Sequence, residues 1–353
     1  MPGNTLSFIP FDKVWRMRID HPYSMFVRDG DMAWSCGQCP LDATGEVLYP
    51  GDLLAQGLVV CDFIKRFTRE IGCTVASLGR VVVYYVKREP DDAATLLQLL
   101  RDSLGDGLQV IPVAVPHFYY DGMLLEIDVY AANSRRPLQS WRDKETGIVL
   151  EAIDAGAFTW AALRIPKDCP RPADAATGRL LAQAGLARDR LLADQWFTVQ
   201  DVPCIVPGFD TARLVRTELA GEAMLGELTF AKSAVVSEVI DGPVALTFRR
   251  SAHHFYVAAH DAGGETGLVE QTRAIMRSID AALRLRGLRF SDVRKSTTYY
   301  LAGSSAEELH LNMEVRNGYY AKPGPASTGL PVSGFPASSS LITVQLLGTA
   351  GPA

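Results

Sequence analysis

Polar and apolar positions along this chain switch between two periods, and the switching runs through three rounds. From position 31 an extended segment, Asp31-Met-Ala-Trp-Ser-Cys-Gly-Gln-Cys-Pro, leads into a run over 53–71. There Leu54, Leu58, Cys61, Ile64, Phe67 and Ile71 recur every three or four residues. That spacing predicts an amphipathic helix, with Asp52 at its N-cap and Gly72 where a left-handed C-cap residue belongs. A β-rich stretch over 80–86 follows, then a second helical run over 92–104 and a closing strand over 124–132. The same order recurs near 147–250 and again at 251–350. In the third round Leu268, Ile275, Ile279, Leu283 and Gly287 repeat the helix pattern. In the second, Leu180, Leu181, Ala184, Leu191 and Leu192 give a weaker one, with Gly178 and Gly185 inside it. The later β-rich stretches are expected at 196–206 and 295–301. Second helices are expected at 210–224 and 306–319, and closing strands at 244–250 and 341–347.

Strands alternating with helices imply an α+β unit whose helices cover one sheet face. The other face must also be buried. Three such sheets can pack those faces around a common axis, as an intrachain pseudo-trimer with a barrel-like core. The units expected on this pattern are 1–134, 147–250 and 251–353, with the polar stretch 135–147 as a linker. The competing arrangement is two α+β domains with no cyclic order. The stretch 322–340, rich in Pro, Gly and Ser, reads as a loop or broken strand lining a cavity.

A length of 353 residues accommodates three packed units. A net charge of −5 leaves no basic footprint for nucleic acid. No apolar run approaches the roughly 18 residues of a spanning helix, so no membrane partner is expected. The opening Met-Pro-Gly-Asn-Thr has no basic segment followed by an apolar one, so no signal peptide is expected. Six cysteines in so long a chain make no disulfide framework, which predicts reduced thiols and a cytoplasmic location. Fused units would supply their own trimer interfaces, leaving either a monomer or a homo-oligomer of pseudo-trimers.

Pro22-Tyr23, then Ser35-Cys36-Gly37-Gln38 with Pro40 and Gly45, and finally Leu125-Glu126-Ile127-Asp128 carry a resemblance over residues 15–132 to the Rid/YjgF family of small trimeric enamine/imine deaminases. The family resemblance implies an arginine after a Pro-Ala pair, in the strand before the closing one, to hold the substrate carboxylate. Here that strand reads Ile111-Pro-Val-Ala-Val-Pro-His, without arginine. The third unit reads Pro325-Ala326-Ser327-Thr328 at the matching place. Length and the context Leu124-Leu125-Glu126-Ile127-Asp128 also resemble the chorismatases, hydrolases of the same superfamily built from fused Rid-like units. Val83-Tyr84-Tyr85-Val86-Lys87-Arg88 and Pro325-Ala-Ser-Thr-Gly329 are similar to segments of theirs. The glutamate-bearing unit comes last in chorismatases and first here, as in a circular permutation.

The closing-strand carboxylate is present only in the first unit, as Glu126. Thr343 takes its place in the third, and Leu246 or Thr247 in the second. Alternation puts Leu125, Ile127 and Val129 on one face and Leu124, Glu126 and Asp128 on the other. A carboxyl among apolar neighbours has its pKa raised. It could protonate an enol-ether or enamine carbon, or activate water when ionised. Glu126 is therefore the expected catalytic residue. Tyr23, Gly37 and Gln38 are expected to wall the cleft, with backbone N–H groups near the glycine as polarising donors. Lys87 and Arg88 are candidates for holding a carboxylate. His117, Ser327 and Thr328 complete the expected substrate contacts. The substrate expected is a small carboxylate-bearing molecule, an enol ether or an imine, and no cofactor is implied. A non-catalytic ligand-binding protein is the third possibility. Cys36-Gly-Gln-Cys39 has CxxC spacing but follows a strand and precedes a proline, and no second CxxC completes a zinc site. His253, His254 and His260 lack a completing carboxylate motif, so no metal is expected.

Overall fold

The structure, a computed structural model, describes residues 6–16, 19–169, 173–199, 209, 214–301, 305–336 and 339–351. A first run of strands comprises β1 (Leu6–Pro10), β2 (Ser24–Asp29), β3 (Met32–Ser35), β4 (Leu78–Tyr85), β5 (Gln109–Ala114) and β6 (Leu125–Ala132). Helix α1 (Leu53–Glu70) precedes β4, and α2 (Asp92–Leu104) crosses from β4 to β5. The second run is β7 (Gln139–Arg142), β8 (Val149–Ala155), β9 (Phe158–Pro166), β10 (Leu191–Thr198), β11 (Val215–Arg216) and β12 (Glu222–Ala231), with α3 (Asp174–Gln183) before β10. The third is β13 (Val236–Ile240), β14 (Val244–Arg250), β15 (His254–Asp261), β16 (Val293–Leu301), β17 (Ala326–Val332) and β18 (Ile342–Thr349), with α4 (Leu268–Leu285) and α5 (Ala306–Asn317).

Within each run the first three strands lie side by side, followed by the sixth, the fourth and the fifth. The first and third runs join into one 12-stranded sheet through a parallel contact of β2 with β17, Ser24 opposite Ala326. The second run forms a separate 6-stranded sheet. The class is thus mixed α+β with large sheets and few helices.

Period-two alternation decides what each strand buries. Leu125, Ile127, Val129 and Ala131 of β6 pack with Val60, Ile64 and Phe67 of α1 and Leu96 and Leu100 of α2. The opposite face contributes Tyr130 and Ala132 to a second core, built with Trp34, Trp160, Phe197, Tyr299 and Leu330. All three runs therefore bury their helix-free faces in one shared cluster. At roughly 25 cal/mol per Å² of apolar surface, such burial is the main force holding the runs together.

Five sequence expectations change. Leu191 and Leu192, read into the second round's helix, open β10, since α3 ends at Gln183, and the stretch 135–147, read as a linker, carries β7. The helix expected over 210–224 is not formed: 214–224 holds β11 and the start of β12, while 210–213 lies outside the described residues. The strand expected over 196–206 is β10 up to Thr198, and 200–206 lies outside the described residues. The strand at 244–250, expected to close the second unit, is β14. It pairs with β13 and β15, so it is a hairpin strand of the third run, and β12 closes the second. Pattern reading erred there because one apolar strand looks much like another, whereas pairing partners are a long-range property.

The ladders give the register. Tyr84 faces Glu126, Phe197 faces Leu225, and Tyr299 faces Thr343. A bulge opens each of these ladders, between Leu78 and Arg80, Leu191 and Ala193, and Val293 and Lys295. The second-run counterpart of Glu126 is therefore Leu225, not Leu246 or Thr247; Thr343 holds the place in the third.

Candidate functional site

A cavity of about 510 Å³ opens where the first and third runs meet. Their junction is stitched by backbone. Ser24 N donates to Pro325 O at 3.0 Å, and its Oγ donates to Gly324 O at 2.7 Å. Residues on both sides of this seam, Tyr23 and Ser327, line the cavity. Phe11, Trp15, Tyr119, Tyr120 and Tyr300 make the wall aromatic.

Glu126 enters the cavity from β6 and is only 9% exposed. Its carboxyl lies over Gly37. A Cβ built on Gly37 would fall 1.5 Å from Oε1 and 2.6 Å from Cγ. The glycine is thus required by close approach. Gly45, on the same wall, adopts φ +89°, where a Cβ would also meet the Arg16 carbonyl at 2.7 Å. Loss of water pushes the Glu126 pKa up to about 8; the Asp128 carboxylate adds to the rise, and Lys295 and the Cys39 thiol oppose it. The acid is mostly protonated at neutral pH. Burial also drives the Cys39 thiol well up, so it is not a thiolate there.

At the other side of the cavity stands Arg316, at the end of α5 and 4% exposed. Nε donates to Asn312 Oδ1 at 2.9 Å, and one terminal nitrogen donates to Thr298 Oγ1 at 3.2 Å. Among the described residues no carboxylate pairs with it within 4.0 Å. The other terminal nitrogen lies near Gly329, 3.5 Å from where a Cβ would stand. His21 lines the same region; burial and then the arginine charge lower its pKa to about 4. The neutral ring accepts at Nδ1 from Asn317 Nδ2 at 3.3 Å, which leaves its Nε2–H as a donor. Tyr23 stacks on His21 with centroids 5.8 Å apart. Its hydroxyl approaches Ser327 but forms no well-aligned hydrogen bond, and burial raises its pKa. Tyr300 lies between the two poles, its hydroxyl feeling both Arg316 and Glu126.

The structure thus brings together Tyr23, Gly37, Glu126 and Ser327. It places five other expected residues elsewhere. Gln38 is fully buried, its amide nitrogen bonded to Cys36 O at 3.2 Å and its backbone N–H to Ile127 O at 2.8 Å, so neither donor reaches the cavity. Lys87 pairs with exposed Glu218 at 2.8 Å. Arg88 gives its backbone N–H to Asp92 at the start of α2. His117 lies in the loop beyond β5, not in a strand, and packs edge-on to Tyr119 at 4.9 Å. Thr328 points to the other face of β17, onto Asp128 and Lys295. Arg316 and His21 are residues of this cavity that sequence reading missed. A basic residue in a last helical turn ordinarily reads as a solvated complement to the helix dipole. The described residues contain no group of three His, Cys, Asp or Glu side chains able to hold a metal. No helix among them is long and apolar enough to cross a membrane.

No protein-family model matches the chain, and no curated protein matches it. Its structural neighbours are Rid/YjgF proteins and a chorismatase. The chorismatase structure aligns over 77% of this chain and 93% of its own, with a TM-score of 0.50 and 13% identity, which is a likeness of fold. YyfB of Yersinia pestis, a Rid-family protein of unknown function, is 28% identical over 31% of this chain and 86% of its own, with a TM-score of 0.27. Escherichia coli TdcF with bound serine is 22% identical over 36% of this chain and 99% of its own, with a TM-score of 0.31.

Proposed function

We propose that the chain is a fused, three-unit Rid-like protein, a pseudo-trimer around a barrel-like core, that acts as a small-molecule hydrolase or lyase. Three runs with one strand order, and a core to which all three contribute, support the architecture. The pairing favours units near 6–132, 139–231 and 236–349 over the boundaries read from pattern.

One observation carries the functional reading. A buried carboxyl that is protonated near neutrality shares a cavity with a buried arginine that has no acidic partner among the described residues. The arginine, with Ser327, Tyr23 and the His21 Nε2–H, is suited to hold a carboxylate. Glu126 then faces the rest of the substrate as a general acid. For an enol ether the carboxyl O–H gives its proton to the terminal vinyl carbon, and the π pair forms the new C–H bond. Water adds to the resulting oxocarbenium carbon and returns a proton to the Glu126 carboxylate. The hemiketal collapses to a 2-keto acid and an alcohol. The aromatic wall suits a ring-bearing substrate, and the chorismatase fold likeness agrees with this class. Tyr23 and Ser327 are binding residues on this reading, and Gly37 makes room for the acid.

The test is turnover of a panel containing chorismate, simpler enolpyruvyl ethers and 2-imino acids, for the native chain and Glu126→Gln. Keto-acid release from an enol ether, falling about 10²- to 10⁴-fold in the variant, is expected. Ammonia release from imino acids alone would select a deaminase. Binding without turnover of any panel member would select a ligand-binding protein, and turnover unchanged in Glu126→Gln rejects the acid.

A further inference from the structure

Behind Glu126, on the same face of β6 and two residues along, Asp128 is buried with two groups from the third run. Lys295 Nζ of β16 lies 2.8 Å from Asp128 Oδ2. The same ammonium donates to Ser35 O at 2.9 Å and to Thr328 Oγ1 of β17 at 2.6 Å. Thr328 in turn donates to Asp128 Oδ1. Asp128, Lys295 and Thr328 are each less than 4% exposed. Lys295 also borders a small axial cavity of about 50 Å³ shared with Glu227 and Gln345. No group in this network lines the cavity that holds Glu126.

We propose that Asp128, Lys295 and Thr328 form a positioning element that holds β6 in register against the third run and sets the protonation of Glu126. This rests on the reading of Glu126 as an acid, but it is tested without any substrate. A charged pair two residues away on one strand face stands roughly 7 Å from the Glu126 carboxyl. At that range, in a protein interior, one uncompensated charge moves a titration by on the order of one to two pH units. Asp128 and Lys295 act in opposite senses and hold each other in place. Removing either exposes Glu126 to the other. The other titratable neighbours are Cys36 and Cys39 after β3, Tyr300 on β16 and Tyr84 opposite on β4, whose pKa values burial raises; Arg316 and His21 across the cavity; and Glu227 of the second run, which feels both Asp128 and Lys295 and is present in the native chain and in either variant.

The experiment is a carbon-13 NMR titration of side-chain carboxyls in protein labelled at glutamate, with Glu126→Gln identifying the resonance. Asp128→Asn leaves the ammonium unopposed and is expected to lower the Glu126 midpoint by about one unit or more. Lys295→Met leaves the carboxylate unopposed and is expected to raise it. The double variant is expected to return to within about half a unit of the native value. Either single variant is decisive by the sign of its shift, so one that fails to fold leaves the other to decide. Shifts of the same sign in both, or none above about 0.3 unit, would assign the network a purely structural role. If the midpoints move as expected while Glu126→Gln leaves turnover intact, the positioning element stands and the catalytic reading falls.

Discussion

Glu126 and Gly37 are one device made of two residues. The carboxyl occupies the volume that any side chain at position 37 would need, and the clash reaches back to Cγ. What must yield in Gly37→Ala is therefore the acid, not the backbone. The variant is expected to fold with a melting temperature close to native and to lose at least 100-fold in turnover, like Glu126→Gln. Titration gives a second, independent reading. The folded Glu126 pKa of about 8 lies above the ordinary 4.5, so between those values the native state binds more protons than the unfolded one. Stability from this site is thus greatest below about 4.5 and is lost as pH rises toward 8. Glu126→Gln removes the penalty. Urea unfolding should show the variant more stable than native at pH 9, by on the order of a few kcal/mol, and the gap should close near pH 4. A constant difference across that range would mean the carboxyl is not buried as described. Glu126 was legible in the sequence through the motif that carries the family resemblance, Leu124-Leu125-Glu126-Ile127-Asp128, and as the one carboxylate among the three strands matched there; alternation gave only its face. Lys87 and Arg88 suited a carboxylate by residue type, yet a side chain's direction at a strand end is not written in its neighbours.

Among the elements, α5 contributes what its sequence conceals. Arg316 is aimed by a chain of bonds rather than by the helix alone. Asn312, one turn earlier, accepts from Nε, and its own amide donates to Thr272 Oγ1 of α4 at 2.9 Å. Thr298 of β16 holds a terminal nitrogen. Preorganisation of this kind matters because a loosely held guanidinium must be ordered by the substrate that it binds. Asn312→Ala is expected to raise KM several-fold with kcat nearly unchanged, since it frees the anchor but leaves the acid. Arg316→Leu should raise KM much further. Steady-state kinetics on any turned-over carboxylate checks both, and an equal fall in kcat for Asn312→Ala would place the arginine in the chemical step instead. Periodicity announced the helices α1, α2 and α4 but could not announce this role. The contact partners of Arg316 lie on three elements, and one of them is only four residues away. The same limit explains β11 and β12. Over 214–224 a mixed apolar pattern fits either period, and only pairing with β10 and β9 settles it.

At the scale of the whole molecule, three register-equivalent side chains, Asp128, Glu227 and Gln345, each reach across to a neighbouring run. Asp128 of the first run pairs with Lys295 of the third, and Glu227 of the second pairs with Arg80 of the first at 3.1 Å. At the third seam Gln345 of the third run donates to Gln195 of the second. In the ladders Val82 faces Asp128, Gln195 faces Glu227 and Thr297 faces Gln345, so Asp128, Glu227 and Gln345 occupy one level. A non-polar interior would have held the runs together equally well, but it would not have told them apart. At this level opposite charges meet at two seams and an amide pair at the third, so the three contacts are not interchangeable, and Arg249 of the third run adds a buried ion pair with Asp194 of the second. Arg80 is the most committed member. It is fully buried, and besides Glu227 it donates to Gln109 Oε1 at 2.7 Å and to the carbonyls of Ala161 and Leu228 at 2.9 and 2.7 Å. Those carbonyls belong to the 6-stranded sheet, so one side chain clamps the second run onto the first. Arg80→Met should therefore cost about 3–5 kcal/mol, because Glu227 is left buried without its counter-charge. Adding Glu227→Leu should recover part of that loss, but not all, since the two carbonyls still lack their donor. The seam makes a further demand that an isolated ion pair would not. If Arg80 couples the sheets, its loss should separate their unfolding, and urea curves followed by tryptophan fluorescence and by far-UV circular dichroism should cease to coincide. Curves that stay superimposed after a loss of that size would mean that the shared apolar core, rather than the polar level at its centre, carries the coupling.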